Sequence, residues 1–260
     1  MLSFKTDKPI IGVIHLSPLP GSPGFENLER IKRRAIHDTK KLTEGGVDGL
    51  IVENYGDQPF DKVTSKITVS ALSVVCSEIK DIFEGPIGVN VLRNDWKSAL
   101  SISNVLDLSF VRINIYSGCY STPCGYIEGE AGRIERFRDQ FDMKNFILAD
   151  IDVKHAKRIY PDSISSAARD AADRVNADAL IVTGKRTGKV VHLDDLKIAK
   201  ESVDVPVLAG SGVNDNNIKE VLSNSDGAIV GTYFKEDGIT ANKVSKRRVI
   251  ELIEKADDVR

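Results

Sequence analysis

Several side chains in this 260-residue chain could move protons, grip an anion or steady a developing negative charge. His15, Glu53 and Asp150 are candidate acids and bases, while Arg112, Asn90 and Asn114 could orient substrate oxygens or stabilise an oxyanion. After Asp150 and Asp152 comes the pair Lys154 and His155. His155 is a second proton-transfer candidate. Lys154 would support a Schiff base only from an inward position with a depressed pKa, and a surface lysine is the plainer reading. Asn54, Asp57, Arg93, Asn94 and Asp95 also follow apolar runs, where an Asn or Asp can simply cap the next helix and an Arg can neutralise an acid. Capping does not explain Glu53, Arg112 and Asn114, which sit within apolar runs where an uncompensated charge is costly.

The elements that must position these residues recur at intervals of roughly 25–40 residues. They are "IIGVIHL" (10–16), "GLIVENY" (49–55), "PIGVNVL" (86–92), "FVRINIY" (110–116), "NFILADI" (145–151), "ALIVTG" (179–184), "PVLAGSG" (206–212) and "GAIVGTYF" (227–234). Most are continuous apolar runs, the pattern of strands covered on both faces. Charge-rich helical segments separate them, such as 26–46, where Leu28, Ile31, Ala35 and Leu42 share a face and "GG" ends the helix, and 244–256 at the far end. Eight such units in this length predict an α/β fold, a closed (β/α)8 TIM barrel spanning residues 1–260 as one domain. An open doubly wound sheet would call for G-x-G-x-x-G after the first strand, but the nearest match, "GSGVND" at 210–215, comes late and has Asp215 at the third glycine position.

In a barrel the loops after the strands form one rim, so the polar residues of the first five units should meet there. The later loops differ: "TGKRTGK" (183–189), "GSGV" (210–213) and "GT" (231–232) are glycine-rich. Gly184, Gly210, Ser211, Gly212, Gly231 and Thr232 are the expected phosphate-binding residues, with a helix starting near Asn214 or Asp215 and Lys185 or Lys189 assisting. Tight turns need the same glycines without a ligand. The stiff segment "SPLPGSPGF" (17–25) is expected to wall one side of the pocket beside His15.

Thirty-six basic against 38 acidic residues leave a net charge of −2, which argues against a nucleic-acid arm or a polybasic membrane anchor. Cys76, Cys119 and Cys124 form no zinc-knuckle spacing and fit reduced thiols. The amino terminus lacks a secretory core and no apolar run reaches the roughly 20 residues of a bilayer span, so a cytoplasmic chain is expected. Walker, H-E-x-x-H and G-x-S-x-G motifs are absent, which lowers kinase, zinc-protease and α/β-hydrolase readings. No cofactor is required by these residues, although Glu53, Asp150, Asp152 and His155 could ligate a divalent metal. The expected partner is a small phosphorylated ligand, with self-association into a homo-oligomer also open.

Over nearly its whole length the chain resembles the BtpA family, which includes SgcQ-like proteins. The stretches that carry this are "IGVIHLSPLPGSP", "GVDGLIVENYGDQPF", "IGVNVLRND", "VRINIYSG", "ADIDVKHA", "LIVTGKRTGK", "LAGSGV" and "IVGTYFK". The resemblance implies a TIM barrel similar to the ribulose-phosphate-binding group. It implies no single reaction, because the family name comes from photosystem I biogenesis and SgcQ-like members are associated with sugar-metabolism gene sets. Residues 122–125 read "TPCG" where family members often have a segment like "TDQG", so Pro123 and Cys124 could alter specificity. Cys124 has no histidine beside it in sequence and is expected to be an inert thiol. Two functions follow as expectations: an isomerase, aldolase or lyase acting on a phosphorylated sugar or related metabolite, or a noncatalytic ligand-binding or assembly factor.

Overall fold

The computed structural model describes residues 4–153, 156–161, 163–184 and 192–260. Its strands are β1 (Ile10–His15), β2 (Gly49–Glu53), β3 (Ile87–Asn90), β4 (Phe110–Ile113), β5 (Cys119–Thr122), β6 (Gly125–Glu128), β7 (Phe146–Asp152), β8 (Lys157–Tyr160), β9 (Ala179–Val182), β10 (Val207–Ala209) and β11 (Ala228–Val230). Eight of them close a parallel barrel in the order β1-β2-β3-β4-β7-β9-β10-β11 and back to β1. The helices α1 (Leu28–Gly45), α2 (Lys66–Lys80), α3 (Trp96–Val105), α4 (Ala131–Gln140), α5 (Ile164–Arg169), α6 (Leu193–Ser202), α7 (Ile218–Ser223) and α8 (Lys246–Asp257) follow the strands in turn. All eight expected strands and the TIM-barrel class are present. Among the described residues, no helix is long and apolar enough to cross a membrane.

Alternation along each strand divides the core in two. Ile11, Val13, Ile51, Phe110, Leu148, Ile181, Leu208 and Ile229 point inward and fill the barrel. Ile10, Ile14, Leu50, Val52, Val111, Leu180 and Val230 belong to the layer shared with the helices. Phe110 fits only because β3 has no side chain opposite it: a Cβ on Gly88 would lie 2.1 Å from the Phe110 ring.

Three local expectations are corrected. The eighth run stops as strand at Val230, since its backbone then folds into a tight turn, with the N–H of Phe234 donating to the Gly231 carbonyl at 3.1 Å. The helix expected from Asn214 or Asp215 starts at Ile218. Side chains in this asparagine-rich stretch take up the backbone donors instead: Asn217 Oδ1 accepts from the Asn214 N–H and Asn214 Oδ1 from the Asn216 N–H, both at 2.9 Å. The third is an addition: β5, β6 and β8 form a small antiparallel sheet from the loops after β4 and β7. Its four-residue strands are largely exposed, so they lack the apolar runs that mark the barrel strands.

One buried ion pair pins the end of the chain to the first helix. Asp38 in α1 accepts from Lys235 Nζ at 3.3 Å and Arg34 Nε at 3.2 Å on one oxygen, and from the Val244 N–H at 2.9 Å on the other. Lys235 is wholly buried, and burial pushes its pKa down while Asp38 pushes it back up. Asp38→Asn removes the countercharge and should cost about 3–5 kcal/mol of unfolding free energy, read from the urea midpoint. Lys235→Met removes the charge itself, leaves Asp38 its other donors, and should cost clearly less; equal losses would count against this account.

Candidate functional site

Register brings distant residues side by side. His15 pairs with Glu53 across β1 and β2, and Glu53 pairs with Asn90 across β2 and β3. On four strands the position above the apolar barrel interior is polar: His15 lies two residues after Val13, Glu53 after Ile51, Arg112 after Phe110 and Asp150 after Leu148. His15 Nε2 is 4.0 Å from Glu53 Oε1, and Arg112 Nη1 is 3.8 Å from Glu53 Oε2, with all three side chains largely buried. The His15 ring meets Tyr55 edge-on at 4.9 Å.

Arg112 and Asp150 form the centre of this layer. Arg112 donates through Nε to Asp150 Oδ1 at 2.9 Å and through Nη2 to Oδ2 at 2.8 Å. Asn114 Nδ2 adds a third donor to Oδ2 at 3.0 Å, and Asn90 Nδ2 donates to Asn114 Oδ1 at 3.1 Å. Burial alone would push the Arg112 pKa down, but Asp150 and then Glu53 reverse that and hold it above its ordinary value. With three donors on its oxygens, Asp150 is suited to fixing Arg112. Glu53 lies within 4.0 Å of both His15 and Arg112.

The layer opens into a cavity of about 800 Å³, lined by His15, Glu53, Arg112, Asn114 and Asp150. Gly210, Ser211, Gly212, Gly231 and Thr232 line the same cavity, so residues of both groups expected from sequence share one chamber. Gly231 has a steric role as well: a Cβ there would lie 2.5 Å from His15 Cε1. Gly184 does not line the chamber. Its N–H donates to Ser211 Oγ at 2.5 Å, which leaves the Ser211 hydroxyl proton to donate elsewhere. Asn90 likewise acts from beneath, fully buried and outside the lining.

Other expectations separate here. Lys154, His155, Lys185 and Lys189 lie outside the described residues. Asn54, Asp57, Asn94 and Asp95 are braces: Asn54 Oδ1 accepts from the Leu92 N–H at 2.7 Å, Asp57 Oδ1 from the Leu19 N–H at 2.8 Å, and Asn94 Oδ1 from the Ile115 N–H at 2.8 Å. Asp95 caps α3 through the Ser98 N–H at 3.1 Å. Asp152 is held by Arg158 at 3.3 Å. Among the described residues no three His, Cys, Asp or Glu side chains converge to hold a metal ion. The "SPLPGSPGF" loop does not wall this chamber, because it packs away from it against Gly56 and α2, where Thr68 Oγ1 donates to the Pro20 carbonyl at 2.7 Å.

Sequence reasoning missed part of the lining. Arg248 comes from α8, and its guanidinium lies 4.3 Å from the centre of the Tyr233 ring while Nε donates to the Tyr233 carbonyl at 2.5 Å. Burial, followed by the Asp215 charge, pushes Tyr233 up to about 12, so it stays a protonated donor. Neither residue ends a strand, and only the packing of α8 on the turn after β11 brings them in. Arg93 and Cys124 also line the chamber, and Cys124 Sγ donates to the Phe60 carbonyl at 3.0 Å.

Comparison with known proteins agrees with this architecture. The BtpA family model matches residues 6–258. An uncharacterised protein of Pyrococcus horikoshii is 46% identical over 247 residues, covering 95% of each chain. The photosystem I biogenesis protein BtpA of Synechocystis is 37% identical over 255 residues, covering 97% of this chain and 89% of that one. Among solved structures, thiamine phosphate pyrophosphorylase from Pyrococcus furiosus superposes with a TM-score of 0.61 at 17% identity, covering 97% and 96%. N-(5'-phosphoribosyl)anthranilate isomerase from the same organism gives 0.59 at 14% identity, covering 97% and 100%.

Two outcomes follow from the site geometry. Arg112→Met would leave Asp150 charged and buried, and should lower the unfolding free energy by about 3–5 kcal/mol in urea titration; a loss under about 1 kcal/mol would show the pair is not the centre described. Cys76 is fully buried, and burial pushes its thiol up to about 12. At pH 8 its thiolate fraction should be on the order of 10⁻⁴, so a thiol reagent should modify at most two cysteines of the native protein and reach the third only on unfolding.

Proposed function

The chain belongs to the BtpA family, and from that premise we propose that it is an enzyme acting on a small phosphorylated sugar or related metabolite by isomerase, aldolase or lyase-type chemistry. The observation that carries this reading is the single chamber of about 800 Å³ lined both by a buried His–Glu pair and by two glycine-rich strand-end loops. The loops after β10 and β11 are where phosphate sits in many barrels of this kind. Here Ser211 has a hydroxyl proton to donate, the glycine backbone allows close approach, and Arg248 adds a fixed positive charge. Two proteins of the same fold carry phosphorylated compounds in their names, which supports the phosphate half of the reading.

At the other end, the Glu53 carboxylate takes a proton from a carbon beside a carbonyl. His15, through Nε2, delivers or removes a proton on the neighbouring oxygen. Arg112, held by Asp150 and Asn114, stabilises the negative charge that develops on that oxygen. The same trio serves isomerisation or elimination, in which reprotonation of the neighbouring carbon or loss of a β leaving group consumes the carbanion; in aldol cleavage Glu53 instead takes the proton of the β-hydroxyl as the bond between the α and β carbons breaks, and His15 protonates the enolate that is released. The competing reading, a noncatalytic assembly factor, draws support from the name of the Synechocystis relative. It gives no physical reason for placing Glu53 and His15 against a chamber of substrate size.

Thermal stabilisation of the protein by a panel of phosphorylated sugars and nucleotides, followed by turnover assays on the hits, separates the two. Glu53→Gln should keep the thermal shift and lose about 10²–10⁴ in turnover. Ser211→Ala should weaken the shift. Stabilising ligands with no turnover would favour the assembly factor, and absence of any phosphorylated ligand would defeat the phosphate site.

A further inference from the structure

The proline-rich loop that leaves the main chamber borders a second cavity of about 570 Å³, within the range of small-molecule sites. Ser17, Pro18 and Gly24 form one wall and the first half of α1 forms the other. No residue lines both cavities.

Its charge is one-sided. Arg30, Arg33, Arg34 and His37 follow one another at i, i+3, i+4 and i+7 along one face of α1, and Lys243, from the segment before α8, faces the same space. Glu26 is the sole carboxylate in the lining, and Arg30 already engages it at 2.7 Å. Arg34 is held by Asp38 and by the Ala241 carbonyl, at 3.2 and 3.1 Å. Arg33 and Lys243 form no ion pair with the described carboxylates. Like charges at this spacing repel, and an anion placed among them removes the repulsion. Two arginine guanidiniums and a lysine from separate segments suit several phosphate oxygens at once.

We propose that this cavity is a second binding site, for a multiply charged phosphate ester or diphosphate of nucleotide size. Orthophosphate alone would leave most of the volume empty, while Pro18 supplies apolar surface for a base or sugar. The site stands independently of the reaction proposed for the main chamber, but its wall is continuous with that chamber's frame. Pro18 packs so closely on Gly56 that a Cβ there would lie 2.5 Å from the Pro18 nitrogen, and the next residue back, Tyr55, abuts His15.

Calorimetric titration of the full-length protein with inorganic pyrophosphate at low salt, repeated with ATP, tests the proposal. The wild type should show two classes of site. The charge reversal Arg33→Glu with Lys243→Glu changes two exposed side chains, so the fold should survive, and should weaken one class by at least about tenfold. Arg248→Gln should weaken only the other class. Unchanged pyrophosphate binding in the charge-reversed protein would overturn the second site. Loss of all binding in Arg248→Gln would overturn it too while leaving the main-chamber reading intact. Pyrophosphate that ATP cannot displace would defeat the claim of nucleotide size.

Discussion

The two-point hydrogen-bonded pair between Arg112 and Asp150 allows charge to sit on top of an apolar barrel. Either ion alone, buried to this degree, would be strongly destabilising; together, with Asn114 as a third donor, each satisfies the other. Arg112, fixed in this way, also lies 3.8 Å from Glu53, which in turn lies 4.0 Å from His15. Asn90, hidden beneath, locks Asn114 through its amide. The reactive arrangement is therefore a network in which most members hold another member still. His15, Glu53, Arg112, Asn114 and Asp150 line the chamber, while Asn90 stays beneath it.

Glycine makes room for this network at two levels. Gly88 admits the Phe110 ring that fills the barrel below Arg112, and Gly231 admits the His15 ring above. A methyl group at either position would push a side chain that the polar layer depends on. Gly231 of the proposed phosphate half thus also shapes the proposed acid–base half, a coupling that reading it as part of a ligand-binding loop alone would miss. The segment from the end of β1 plays a comparable double part, since His15 lines the main chamber while Ser17, Pro18 and Gly24 border the cationic cavity.

Much of this was legible in the sequence because a parallel barrel imposes strong local patterns. Eight apolar runs at regular spacing mark strands buried on both faces, and a polar residue at the end of such a run can only reach the rim. Glu53, Arg112 and Asp150 stood out for that reason. The antiparallel sheet of β5, β6 and β8 was not legible, since its strands are short and exposed and carry no periodic signal. The start of α7 was misjudged because asparagine side chains compete with helical hydrogen bonds through contacts that composition does not reveal.

The sequence by itself determined the fold class, the family and the strand-end residues, because those depend on local periodicity and motif order along the chain. It left open which carboxylate Arg112 clasps at two points: Glu53 and Asp150 look alike until the register of β4 against β7 sets Arg112 on Asp150. Nor could it place Arg248 in the main chamber or gather Lys243 with the arginines of α1. Tertiary structure alone decided these, since charge pairing and cavity lining depend on distances between segments far apart in the chain, such as His15 and Arg248.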